Sequence, residues 1–209
     1  MYNLINSELM RKLAQECNKN HVALISPETA NLLTLLIDCG SYRQILEIGT
    51  GLGYSTIFLA HGAARNSGSV VTIERLPQRV ERAREYFSLS GLSNIRSYAG
   101  DAQDVLPYLP GCFDFIFMDA AMGQYLDFFR DLFPRLSPGG LLIADNVLFE
   151  NLVRRDRFQI PRRRRTMQER LRAFLKLVME HPELTSRIFS IGDGLVVCYR
   201  NPKNPLTTP

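Results

Sequence analysis

Apolar positions recur at helical spacing from the start of the chain. Between Ser7 and Asn18, Leu9, Leu13 and Cys17 fall on one face of a helix. Pro27 opens a second run with Leu32, Leu33, Leu35, Leu36 and Ile37, and Gly40 closes it. Proline at the start and glycine past the end is the asymmetry a helix prefers. Short strand-like runs then alternate with helical ones. Gln44 to Ile48 is a strand running into a glycine-rich turn, Tyr54 to His61 a helix, and Ser69 to Ile73 a β-branched strand. A helix from Pro77 carries Val80, Ala83 and Phe87 on one face and stops at Gly91; Asn94 to Tyr98 is a third strand. Phe113 to Met118 is nearly all apolar, as a strand covered on both faces must be. The pattern predicts a helix over Tyr125 to Leu136, a turn over Ser137 to Gly140 and a strand over Leu141 to Ala144. A long helix from Thr166 to Glu180 turns Met167, Leu171, Phe174, Leu175 and Val178 inward. The closing strands, Arg187 to Ile191 and Leu195 to Arg200, flank Gly192-Asp193-Gly194 as a hairpin.

Strands separated by helices require right-handed crossovers and a parallel, doubly wound α/β sheet, here with an antiparallel strand added by the hairpin. The 209 residues suit one domain, with a helical N-terminal extension over about residues 1–40 and a tail, 201–209, whose three prolines leave it frayed. Glu8, Arg11 and Lys12 interrupt the N-terminus, which excludes a signal peptide. No apolar run approaches the roughly 20 residues of a membrane span, so a membrane protein is not expected. Cys17, Cys39, Cys112 and Cys198 lack metal-binding or disulfide spacing and read as reduced, mostly buried thiols of a cytoplasmic protein. His21, His61 and His181 are isolated and read as structural or surface groups, and Phe128, Phe129 and Phe133 as core-facing.

Ligands of such sheets gather beyond the carboxyl ends of the strands. The first strand ends in Glu47-Ile48-Gly49-Thr50-Gly51-Leu52-Gly53-Tyr54-Ser55, where glycines allow a sharp turn and bring backbone N–H groups to a ligand. The spacing is GxGxG, not the GxGxxG of dinucleotide sites. Glu74 ends the second strand, where a carboxylate accepts ribose hydroxyls, and Gly100-Asp101-Ala102-Gln103 follows the third. Singly, each is also a tight turn or a solvated acid; in this order they point to a nucleoside-bearing ligand. The fourth strand ends in Asp119 and the fifth in Asp145-Asn146. Each aspartate alone is also a helix cap. Together they are three hard oxygen donors, the set that suits Mg²⁺.

With these motifs the chain resembles the catechol and caffeoyl-CoA O-methyltransferases of class I, from Ile25-Ser26-Pro27 to Gly192-Asp193-Gly194-Leu195. EIGTGLGYS, IFMDA with Tyr125 downstream, LLIADNVLF and IGDGL carry the likeness. The resemblance implies a Rossmann-like seven-stranded sheet with strand seven antiparallel, and a homodimer. It implies S-adenosylmethionine (SAM) as methyl donor. Glu47, Gly49, Ser55 and the backbone near Ile25 would hold its methionyl part, on the loop shaped by Gly51 and Gly53. Glu74 would take the ribose, and Asp101, Ala102 and Gln103 the adenine. Asp119, Asp145 and Asn146 would hold Mg²⁺, with Asp119 also bordering the cofactor, and the metal would lower the pKa of a substrate hydroxyl. One departure stands out. The family places a lysine base three residues after the first metal aspartate, and this chain has Met122 there. Either the metal alone suffices for an acidic substrate, or another group helps, or activity is weak.

The net charge of +4 is uneven. Arg154, Arg155, Arg157, Arg162, Arg163, Arg164 and Arg165 crowd between the fifth strand and the long helix, and Arg170 and Arg172 continue onto it. Arginine forks suit phosphates, so the cluster reads as an RNA footprint or, more simply, as a solvated basic face. Within the family the insert resembles the bacterial tRNA 5-hydroxyuridine methyltransferases, which implies an anticodon loop as partner and 5-methoxyuridine as product. A small catechol-like phenol is the rival substrate. A catalytically impaired protein that binds SAM and RNA is the second rival.

Overall fold

The computed structural model describes residues 7–202; the expected tail falls almost wholly outside that range. Seven strands follow the order β3-β2-β1-β4-β5-β7-β6, the expected mixed sheet with β7 antiparallel. The chain groups its elements into two compact units, one up to Pro110 and one from Gly111.

The first unit runs α1 (Ser7–Lys19), α2 (Pro27–Gly40), β1 (Gln44–Ile48), α3 (Tyr54–Arg65), β2 (Ser69–Glu74), α4 (Pro77–Ser90), β3 (Ile95–Ala99) and α5 (Ala102–Val105). The three strands are parallel, and their register sets Ile48 level with Ile73 and Glu74 level with Ala99. All three carboxyl ends therefore open toward the same side. Ser26 caps α2, its hydroxyl accepting the Thr29 N–H at 3.1 Å. Gly40 is not the left-handed residue past the helix; Ser41 takes that conformation at φ 52°. Gly40 instead makes room for Tyr42, whose ring lies 2.2 Å from where a Cβ would stand. α1 and α2 pack on the helices α4 and α3. Leu9, Leu13 and Cys17 join Ala83, Tyr86 and Phe87 in one buried cluster. Glu16 of α1 ties this packing down: Arg82 donates to it at 2.6 and 2.5 Å and the Tyr86 hydroxyl at 2.6 Å.

The second unit runs β4 (Phe113–Met118), α6 (Tyr125–Leu132), β5 (Leu136–Ala144), α7 (Arg162–Glu180), β6 (Leu184–Phe189) and β7 (Leu195–Arg200). Four sequence expectations need correction. The segment Leu136 to Gly140 belongs to β5, because Leu136 pairs with Phe113 before the register jumps to Phe115 with Leu141; the turn residues form a bulge within the ladder. α6 accordingly ends at Leu132, and a single 3-10 turn leads into the strand. α7 begins four residues early, taking Arg162 to Arg165 into its first turn, and Gln168 is fully buried where Met167 was expected. Only Cys17 and Cys198 are buried, while Cys39 and Cys112 are exposed. Phe128 and Phe129 are core residues, and His181 packs against Phe129 and Phe133. Among the described residues no helix is long and apolar enough to cross a membrane.

Candidate active site

The glycine loop after β1 is a closed hydrogen-bond system. Gly49, Gly51 and Gly53 have φ of 103°, 55° and 96°, conformations that side chains rarely adopt. Gly53 is also required by space, since its Cβ would stand 2.5 Å from the Phe87 ring. Glu47 lies beneath the loop with 0% exposure. Its Oε1 accepts the Ser55 hydroxyl at 2.5 Å, and its Oε2 accepts the Thr72 hydroxyl at 2.6 Å and the Thr56 hydroxyl. Burial pushes its carboxyl upward, and the three hydroxyls oppose that shift. Glu47 is therefore a buried hub that fixes loop and helix start, and a ligand meets the loop it shapes.

Glu74 faces the loop. Its Oε2 accepts the Gly51 N–H at 2.9 Å and its Oε1 the Leu76 N–H at 3.0 Å. Each carboxylate oxygen has further lone pairs, so a diol can still bind there. The Glu74 carbonyl accepts the Gly100 N–H at 2.9 Å, which draws the end of β3 alongside. Asp101 caps α5 by accepting the Gln103 N–H at 3.1 Å, Ala102 is buried and Gln103 is exposed. Ile25 is buried just ahead of α2. These features fit SAM: a loop without Cβ atoms, backbone donors, and carboxylate oxygens placed for a ribose.

In the second unit, Met118 pairs with Ala144, so Asp119 and Asp145 leave neighbouring parallel strands at the same level. The Asn146 Nδ2 donates to Asp119 Oδ1 at 3.2 Å. Asn146 holds φ 60°, with its N–H given to Asp145 Oδ1 at 2.7 Å. Asp145 is buried, and its carboxyl is pushed up to about 6 by burial and by Asp193, against the pull of the Asn146 N–H. Among the described residues no three acidic, histidine or cysteine side chains gather as a metal cage. The set here is two carboxylates and an amide, hard donors that suit Mg²⁺ with other oxygens completing the shell. A half-turn of the amide presents its oxygen in place of its nitrogen. The residues fit the ion.

Three residues that the sequence left without a role complete this corner. The buried Tyr125 hydroxyl lies 3.0 Å from the Asp145 carbonyl and 3.3 Å from that of Met118, sharing its proton between the two strand tips. Tyr125 is thus a packed residue, one of the two roles open to it. Asp193 and Gly194 accept the N–H groups of Leu148 and Val147 at 2.9 Å each, so the IGDG link pins the backbone after Asn146. Met122 is half-buried at the start of a 3-10 turn whose Gly123 carbonyl accepts from Arg170. The side chain there takes no proton.

The arginines divide into two groups. Arg172 donates to the Val153 and Arg155 carbonyls at 2.8 and 2.7 Å, Arg170 and Asp127 form an ion pair, and Arg157 pairs with Glu169. Arg165 donates to the Ile160 carbonyl at 3.3 Å, and Arg164 lies over the Phe149 ring at 5.6 Å. Arg154, Arg155, Arg162 and Arg163 are exposed and carry no ion pair among the described residues.

Comparison with known proteins fits this geometry. Residues 2–201 match the model of the family described as O-methyltransferase. A catechol O-methyltransferase of Niastella koreensis is 36% identical over 62% of this chain and 60% of its own length. The chain thus spans about three fifths of that curated relative. The O-methyltransferase of Bacillus cereus, solved in complex with SAH, superposes with a TM-score of 0.84 at 26% identity, covering 96% of this chain and 94% of that one. A Streptomyces achromogenes O-methyltransferase of tomaymycin synthesis, solved with SAM, gives 0.84 at 26% identity over 95% and 92%.

Proposed function

The chain belongs to the O-methyltransferase family, and from that premise we propose that it transfers a methyl group from SAM, with Mg²⁺, to the 5-hydroxyl of wobble 5-hydroxyuridine in tRNA. The product is 5-methoxyuridine. Bound SAM supplies an electrophilic methyl group. Bound Mg²⁺ lowers the pKa of a hydroxyl it touches. The chain's own residues bind and position. Glu47 locks the glycine loop, Glu74 offers its remaining lone pairs to the ribose, and Asp101 to Gln103 border the adenine. Asp119, Asp145 and Asn146 hold the cation, and Tyr125 keeps their strand tips together. Met122 leaves no base at the family's lysine position, so the acceptor must be an acidic hydroxyl. A 5-hydroxyl beside a C4 carbonyl offers two oxygens in a catechol-like arrangement. A homodimer belongs to the same reading.

The observation that carries the RNA acceptor is the group of uncommitted guanidinium groups, Arg154, Arg155, Arg162 and Arg163, on the segment that follows Asn146. Incubation of purified protein with labelled SAM and tRNA containing 5-hydroxyuridine tests it. Incorporation that needs Mg²⁺ is expected, and no incorporation with Mg²⁺ present rejects it. A second reading, a catechol-like phenol as acceptor, has the name of the Niastella relative in its favour. Replacing Arg162 to Arg165 by alanine separates the two: phenol methylation would be unchanged, whereas tRNA methylation would fall. SAM binding without turnover on either acceptor would favour the impaired binding protein.

A further inference from the structure

We infer that Phe158 is a stacking platform for an unpaired RNA base, set among the arginines that meet the phosphates. This rests on the RNA reading above and names how that RNA is gripped. Phe158 is 82% exposed on the single turn Arg157–Gln159. Leaving such a ring in water forgoes roughly 1.5–3 kcal/mol of burial. The turn that presents it is held firmly. Asp156 Oδ1 accepts the Phe158 N–H at 2.7 Å, and the Asp156 carbonyl accepts the Gln159 N–H at 3.0 Å. Leu152 and Ile160 anchor the segment at 2% and 3% exposure. The fully buried Gln168 donates to the Leu152 and Arg155 carbonyls at 2.6 and 2.8 Å, while its own Oε1 has no partner. A buried, half-satisfied amide is costly. Here it holds a loop whose outward side chains are mostly cations and one aromatic ring.

Charge selects the occupant. α7 opens with four consecutive arginines and no acid in its first turn, against the sign its dipole favours. Arg165 lies over the Phe158 ring at 5.7 Å, fixing it by a cation–π contact. Neighbours Arg157 and Gln159 make the surroundings polar, which argues against an apolar protein face. Phosphates on arginine with a base on an aromatic ring is the way single strands are held without sequence readout. A duplex keeps its bases stacked and offers no free face, so the ligand is an RNA loop.

The test is fluorescence anisotropy with full-length protein at several salt concentrations. The probes are a labelled hairpin with an anticodon-like loop and a blunt duplex of the same stem. Phe158→Ala should weaken hairpin binding about tenfold, leave duplex binding and the salt slope unchanged, and keep the wild-type circular dichroism melt. Phe158→Trp should restore affinity. Arg162→Ala with Arg163→Ala should lower the salt slope by about one unit. Equal hairpin affinity of Phe158→Ala and wild type would overturn the inference. So would equal losses on hairpin and duplex, or a changed solution mass with RNA affinity intact, which would mark a contact between copies of this chain. Failure of the wild type to bind either RNA would instead overturn the RNA reading itself.

Discussion

The strand ends of the two units spend their polar groups differently. Up to Pro110 they are turned inward: Glu47 is used up by three hydroxyls, and Glu74 accepts a backbone N–H on each oxygen. From Gly111 the strand tips are tied as tightly, by Tyr125 and the Asn146 amide, yet the segment beyond them sends unpaired cations and a bare aromatic ring outward. A ligand of fixed shape can be met by a preorganised cradle, whose cost is met during folding. A large, charged acceptor is met by groups that stay uncommitted until it arrives. The contrast predicts that changes in the first unit act on cofactor affinity and stability, and changes in the second on turnover and acceptor affinity.

The largest expected effect is at Asp119. Asp119→Ala removes a cation ligand and should lower methyl transfer on the order of 10³-fold, several kcal/mol of lost stabilisation. Calorimetric affinity for the demethylated cofactor should stay within about twofold. A parallel loss of cofactor affinity would break the division between the units. Next comes Glu47→Ala. It strands three buried hydroxyls and should cost about 3 kcal/mol, a fall in Tm on the order of 10 °C. A variant that melts with wild type would show that the loop is held by its glycines alone.

Tyr125→Phe is a finer probe of the second unit. Removing one hydroxyl shared by two carbonyls should cost about 1 kcal/mol of stability and raise the Mg²⁺ concentration for half-maximal turnover about tenfold. Cofactor affinity should not move. This residue also shows where sequence reasoning stops. The bounds of β1, β4 and β7 follow from local apolar runs and glycine turns, and the structure keeps them. The order of acidic residues at strand ends was equally plain, because parallel strands deliver their last residues to one side. Tyr125, Gln168 and Asp193 could not be read that way. Their roles are hydrogen bonds to carbonyls or N–H groups distant in sequence, which no local pattern encodes. The Leu136 to Gly140 bulge was hidden for the same reason: Pro-Gly-Gly reads as a turn until Leu136 pairs with Phe113. The early start of α7 reflects the good helix propensity of arginine outweighing the unfavourable dipole.

The smallest effect concerns acid sensitivity in the first unit. The Arg82 guanidinium, followed by the Tyr86 hydroxyl, holds the Glu16 carboxyl down at about 2 against its burial. A carboxyl depressed by folding contributes stability above its unfolded pKa, near 4.5, and loses it as pH falls toward 2. Arg82 is 42% exposed, so solvent screening limits the contribution to roughly 1 kcal/mol or less. Urea midpoints should therefore show a shallow extra loss between pH 4.5 and 2 that Glu16→Gln removes, with the variant already weaker at pH 7. Because α1 packs on α4 through this pair, the loss should come with faster hydrogen exchange in α1 and unchanged exchange in α7. Equal acid slopes for wild type and variant would mean that the apolar cluster of Leu9, Leu13 and Phe87 holds α1 without help from charge.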